Sequence, residues 1–129
     1  MQIKFLGTGT STGVPEIACH CEVCSSNDPR DRRLRTSALF TIKGKNILID
    51  CGPDFRQQML CSHTEKIDAV LLTHVHYDHT SGVNWLRTYY NAKLYCQAEC
   101  AKAIAIKQKN NPALIALVWA DMDKRDGGD

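Results

Sequence analysis

Ala69-Val70-Leu71-Leu72-Thr73-His74-Val75-His76-Tyr77-Asp78-His79 is the stretch on which the reading of this chain turns. The run from Asp68 to Thr73 has the length of a short strand and lacks polar alternation, as a strand buried on both faces does. At its mouth stand three imidazoles and a carboxylate within six residues. Neutral ring nitrogens mixed with an anionic oxygen are the donor set that zinc and its first-row neighbours favour. His74 and His76, alternating along the chain, can point at one ion. A turn then brings Asp78 and His79 to a second position nearby. The other reading is a polar surface loop, but three of the chain's five histidines fall in this one segment.

No histidine follows His79. A catalytic zinc takes about three protein ligands and an open water position, and a two-metal site needs more. His74, His76, Asp78 and His79 must therefore be supplemented, and the remaining histidines, His20 and His63, both lie upstream. The pattern is that of a metallohydrolase whose ligand set is unfinished.

Outward from this motif the chain reads as α/β. Gln2 to Leu6 alternates and predicts a strand, followed by the small-residue loop Gly7-Thr8-Gly9-Thr10-Ser11-Thr12-Gly13. Ser37 to Ile42 and Asn46 to Asp50 predict a hairpin about Lys43-Gly44-Lys45. Pro53 opens a helix with Phe55, Met59 and Leu60 on its apolar side. Thr80 is placed to cap a helix carrying Val83, Leu86 and Tyr90. Ala92 to Cys96 predicts a strand and Glu99 to Gln108 a helix. Pro112 to Ala120 suits a strand, and the charged, glycine-rich residues 121–129 suit a frayed tail. These elements divide into a main unit over residues 1–106 and a divergent apolar segment with its tail over 107–129.

At 129 residues the chain has the length of one domain. A net charge of +2 is too mild to argue for nucleic acid by itself. The basic run Arg30-Asp31-Arg32-Arg33-Leu34-Arg35 reads as a solvated loop or as a site for an anionic substrate. No apolar stretch approaches the ~18 residues of a membrane span, and Met1 to Gly7 lack a signal-peptide layout. Seven cysteines, an odd number, suit a reducing compartment better than a disulfide framework. The expected location is the cytoplasm, with no membrane partner.

Cys19, Cys21 and Cys24 offer three soft ligands within six residues. They suit a structural Zn2+ lacking its fourth ligand, or are simply three loop thiols. His20 is a local candidate for the fourth position, but it sits between two ligands and would strain the loop. Cys51, Cys61, Cys96 and Cys100 fall on apolar elements and are expected in the core. Tyr77 and Trp85 are expected to be packing residues.

His74-x-His76-x-Asp78-His79 after a buried strand resembles the signature of the metallo-β-lactamase superfamily. The opening strand with Gly7-Thr8-Gly9-Thr10, and Ile47-Leu48-Ile49-Asp50-Cys51-Gly52, agree with it. Gly7 to Pro15, Cys19-x-Cys21-x-x-Cys24 and Arg33-Leu34-Arg35-Thr36-Ser37 resemble more particularly the phosphoribosyl cyclic phosphodiesterase branch of the carbon–phosphorus lyase pathway, close to ribonuclease Z. The resemblance covers Gln2 to Cys96. It implies an αββα sandwich of which this chain is about the N-terminal half. It also implies a dinuclear Zn2+ or Mn2+ site, with His74 and His76 on one ion and Asp78 and His79 on the other. Asp78 and His79 are then the candidate catalytic residues, beside a metal-bound hydroxide that attacks a phosphodiester. The resemblance further implies that Asp50 supports the ligand loops from behind, although a strand-ending turn carboxylate would read the same way. A histidine from the second half would complete the cysteine site. Thr8 to Gly13 and Arg35 to Ser37 would line the pocket, unless the glycines serve turns only.

A small cyclic phosphate is the implied substrate, with RNA the less favoured one. Flavodiiron-type chemistry is disfavoured, because that branch carries glutamate at the position of His76. The three-cysteine loop disfavours a lactamase. Against the enzyme reading stands a truncated fragment that binds metal weakly and turns nothing over. A third reading is a half-domain completed by another chain or by a second copy of itself, since an open sheet invites association.

Overall fold

The computed structural model describes residues 1 to 107. It holds one five-stranded sheet in the order β1-β2-β3-β4-β5. The strands are β1 (Gln2–Gly7), β2 (Ser37–Ile42), β3 (Lys45–Ile49), β4 (Ala69–Leu71) and β5 (Lys93–Tyr95). The first three form an antiparallel meander, with Lys43 and Gly44 turning the β2–β3 hairpin in the left-handed region (φ 49° and 74°). Then β4 and β5 add in parallel. Parallel neighbours need crossovers. These are supplied by α1 (Phe55–Ser62) and by α2 (Tyr77–Thr80) with α3 (Val83–Tyr89); α4 (Ala98–Lys107) follows β5.

Register decides which face is covered. Leu39 pairs with Leu48, Leu48 with Val70, and Val70 with Leu94. This row lies in the core with Phe55, Met59, Val83, Leu86, Ala101 and Ile104 from the helices. Each large side chain buried there contributes roughly 1.5–3 kcal/mol. The opposite face carries the alternate rows, among them Ile3, Phe5, Phe40, Ile49 and Leu71. Phe5 is 74% exposed, Ile3 44% and Leu71 39%. One face is therefore a finished core and the other an apolar surface that no described element covers.

Several expectations need correction. Strand β4 is shorter than Asp68 to Thr73, because Thr73 leaves the ladder to bond Asp50. Thr80 does not cap the following helix: it ends α2, its hydroxyl donates to the carbonyl of His76, and Gly82 holds the cap position of α3. Leu60 and Cys61 point to solvent on α1, whereas Cys51, Cys96 and Cys100 are buried as expected. Tyr77 is 70% exposed, and Trp85, 45% exposed, stacks on Tyr89 at 5.6 Å instead of entering the core. The strand expected over 112–120 and the tail over 121–129 lie outside the described residues. No described helix is long and apolar enough to cross a membrane.

Candidate metal centre

The cluster sits where the parallel strands β3 and β4 end, the edge at which open α/β sheets present their sites. Asp50 follows β3, and Thr73 to His79 follow β4. Asp50 is 3% exposed, with a left-handed backbone (φ 60°) that aspartate tolerates better than most residues. Its amide donates to the carbonyl of Leu71, which ties the two strand ends together. Its carboxylate accepts three hydrogen bonds: from the Thr73 amide to Oδ1 (2.8 Å), from the Thr73 hydroxyl to Oδ2 (2.7 Å) and from His79 Nδ1 to Oδ2 (2.7 Å).

The bond to Asp50 uses the Nδ1 hydrogen of His79, which in the neutral ring leaves the lone pair on Nε2. That nitrogen lies 3.3 Å from Asp78 Oδ2. Two ligands about 2.1 Å from one ion stand roughly 3.4 Å apart when arranged tetrahedrally. The Asp78–His79 pair therefore already has the spacing of two ligands on a shared cation. His74 stands beside it, its ring centroid 3.9 Å from that of His79 and 4.7 Å from that of His76. His76 is exposed, and Asp78 and His79 are largely covered. The four side chains thus gather at one strand end, but no three of them bring their donor atoms within 4.8 Å of one another. Among the described residues, the cysteine triad is the set of three whose donor atoms all lie within 4.8 Å of one another.

Two close backbone approaches hold the ligand loop against the end of β3. The Cys51 amide donates to the carbonyl of His79, and the Gly82 amide to the carbonyl of Cys51, both at 2.7 Å. A β-carbon on Gly52 would stand 1.9 Å from the Asp78 carbonyl oxygen, and one on Gly82 would stand 2.6 Å from the Gly52 carbonyl oxygen. Sequence reasoning missed Thr73, Gly52 and Gly82. The signal available was a glycine two residues after the strand-ending aspartate, another shortly after the histidine motif, and a hydroxyl immediately before it.

Cys19, Cys21 and Cys24 form a second cluster far along the chain, and His20 is not part of it. The Cys24 amide donates to Cys21 Sγ and the Glu16 amide to Cys24 Sγ, each at 3.4 Å. The Cys24 amide, with help from the neighbouring thiols, holds the Cys21 thiol below its ordinary value, which favours the metal-binding thiolate. At Cys24 the Glu16 amide pulls the same way, but the adjoining thiols outweigh it and raise that thiol. Arg35 pins the glycine loop: Nε donates to the carbonyl of Ser11 (2.7 Å), and Nη1 pairs with Asp54 (3.0 Å) at the start of α1.

Residues 45–125 match the family described as the beta-lactamase superfamily domain. The chain belongs to that superfamily. The match runs beyond residue 107, into the segment set apart from the sequence. A diphosphatase from the PhnP family superposes with a TM-score of 0.79 at 42% identity, over 83% of this chain and 45% of that one. The Zn(2+)-bound PqqB from Methylobacterium extorquens gives 0.73 at 28%, over 82% of this chain and 40% of that one. An octanoyltransferase of Porphyromonas gingivalis is 60% identical over 89 residues, 68% of this chain and 18% of that protein. The chain thus spans less than half the length of each of these relatives. Its sheet and helices are those of the metallo-β-lactamase fold, matched over about the N-terminal half of the two solved relatives.

Proposed function

We propose that this chain carries the N-terminal share of a dinuclear divalent-metal site that hydrolyses phosphoesters, with a small cyclic phosphodiester as the substrate. The observation that carries the reading is the Asp50–His79–Asp78 arrangement, which turns His79 Nε2 and Asp78 Oδ2 toward one point at a ligand spacing. His74 and His76 would hold the first ion, Zn2+ or Mn2+, and Asp78 and His79 the second. Bound there, divalent ions supply hydroxide at neutral pH and polarise a phosphoryl oxygen. The chain's own residues orient and anchor. Asp50 holds His79 by its Nδ1 hydrogen, the buried Cys51–Gly52 backbone holds α2 in place, and Arg35 ties the glycine loop to Asp54 at the start of α1. Cys19, Cys21 and Cys24 would hold a structural Zn2+.

Likeness at 42% identity to a diphosphatase supports phosphate chemistry over other reactions of the superfamily. Octanoyl transfer is a poorer reading, since the aligned stretch is only 18% of that protein.

Among the described residues, His74, His76, Asp78 and His79 do not complete two ions, so full turnover requires further ligands, from elsewhere in the protein or from a partner chain. The test is metal content per chain in protein purified without chelator, followed by hydrolysis of a cyclic phosphodiester, a diphosphate ester and an RNA 3′ end. We expect hydrolysis slower than that of a double-length relative, strongest on the cyclic substrate and abolished by His76→Ala. Phosphoester hydrolysis that survives His76→Ala, or a metal-loaded chain inert on all three substrates, would refute the assignment.

A further inference from the structure

Thr73 touches both Asp50 and His74, and hydrogen counting gives that contact a direction. The Thr73 hydroxyl lies 2.7 Å from Asp50 Oδ2 and 2.8 Å from His74 Nδ1. A carboxylate oxygen only accepts, and a hydroxyl has a single hydrogen to give. That hydrogen goes to Asp50. The contact with His74 is then a hydrogen bond only if His74 Nδ1 carries the hydrogen and donates it. The reverse assignment would leave two oxygens 2.7 Å apart with no hydrogen between them, beside a carboxylate that is 3% exposed.

We propose that Thr73 is a positioning residue: it fixes the hydrogen of His74 on Nδ1 and so presents Nε2 as the ring's lone-pair donor. One buried carboxylate thereby sets both imidazoles, His79 directly and His74 through the hydroxyl. The two rings, 3.9 Å apart, are held in the same tautomer without sharing a partner atom on the protein side. A metal ligand whose other ring nitrogen is held in this way is fixed in orientation and made more basic. That consequence rests on the metal-site reading above. The tautomer itself does not.

The experiment is a long-range proton–nitrogen correlation of the histidine rings in the full 15N-labelled chain, stripped of metal, at about pH 8.5, well above the ordinary imidazole pKa of ~6.5. His74 and His79 should both show the Nδ1–H pattern. Thr73→Val, which keeps the shape and loses the hydroxyl, should move His74 toward Nε2–H and leave His79 unchanged. Thr73→Ser should restore the pattern. Zinc affinity by chelator competition should fall about 10- to 100-fold in Thr73→Val and return to within about threefold of the parent in Thr73→Ser. An Nε2–H pattern at His74 in the parent overturns the proposal whether or not zinc binds, and so does an unchanged pattern in folded Thr73→Val. If Thr73→Val does not fold, the parent and Thr73→Ser spectra decide. A parent that shows Nδ1–H yet holds no zinc supports this inference while sinking the metal-site reading.

Discussion

Replacing Gly52 by alanine adds one methyl group at the tightest point of the site. Its β-carbon would lie 1.9 Å from the Asp78 carbonyl oxygen and 2.9 Å from the carbonyl carbon. Ordinary contact needs roughly 3.4–3.5 Å, so about 1.5 Å must open between the end of β3 and α2. The obstacle is backbone, which cannot swing aside as a side-chain tip can. Moving α2 also strains the 2.7 Å bonds from Cys51 to His79 and from Gly82 to Cys51. Overpacking costs ~1–3 kcal/mol and each of the two stretched bonds ~1 kcal/mol, which together put the loss at about 3–5 kcal/mol. Because Asp78 and His79 ride on α2, zinc affinity should fall roughly 10- to 100-fold as well. Gly44→Ala is the control: that glycine has φ 74° and nothing within 4 Å of an added β-carbon, so it costs ~1–2 kcal/mol of backbone strain and leaves zinc binding alone. Urea unfolding and chelator competition on both variants give the answer. Gly52→Ala no worse than Gly44→Ala in either assay would refute the close-approach argument.

Asp50→Asn keeps a residue tolerant of the left-handed backbone while weakening the acceptor of three hydrogen bonds. It should lower zinc affinity about 10- to 100-fold, and parent-like affinity by chelator competition would count against it. Asp68 is held at about 2, first by the Asn46 amide and then by Lys66 and Lys45, well below an unfolded aspartate near ~3.9. Its contribution is therefore fully present above the unfolded value and is lost as pH falls through the folded one. Asp68→Asn should be less stable than the parent at neutral pH, with the two denaturation curves converging between about pH 4 and pH 2. Curves that stay parallel across that window would exclude the linkage. The open sheet face, with Phe5 74% and Leu71 39% exposed, should drive concentration-dependent association. Sedimentation velocity should show a shift toward monomer in Phe5→Glu, and an unchanged distribution would place the association elsewhere.

Most of the strands and the gathering of His74, His76, Asp78 and His79 at one strand end were legible because their signals are local. Apolar β-rich runs, the Lys43–Gly44 turn and clustered imidazoles are each written within a few residues. The errors arose where a side chain's role depends on a distant element. Thr80 looked like a helix cap from sequence, but α2 inserts before α3 and takes its hydroxyl for the His76 carbonyl. Thr73 looked like the last residue of a strand until Asp50, 23 residues upstream, drew it out of the ladder. Leu60, Cys61 and Trp85 were assigned inward because they are apolar. Yet α1 and α3 each bury a narrow stripe, Phe55 and Met59 on one and Val83 and Leu86 on the other, which leaves those three outside it.

The same division explains why the site and the open face belong together. Asp50 just after β3 and Thr73 just after β4 come from parallel neighbours, so a single buried carboxylate can reach both ends of the ligand loop. That support is complete within this chain. The candidate ligands it supports bring no three donor atoms within 4.8 Å of one another, however, and the sheet is apolar on the side no described element covers. An ion bound by two protein ligands is weakly held, and an apolar face in water is costly; one added layer of structure would remedy both. If the layer comes from a second copy or a partner, metal affinity and association must be coupled. Zinc should then bind more tightly at concentrations where the chain associates, and Phe5→Glu should weaken zinc binding although it touches no ligand. A zinc affinity independent of chain concentration and unaltered in Phe5→Glu would separate the two deficits and refute a common remedy.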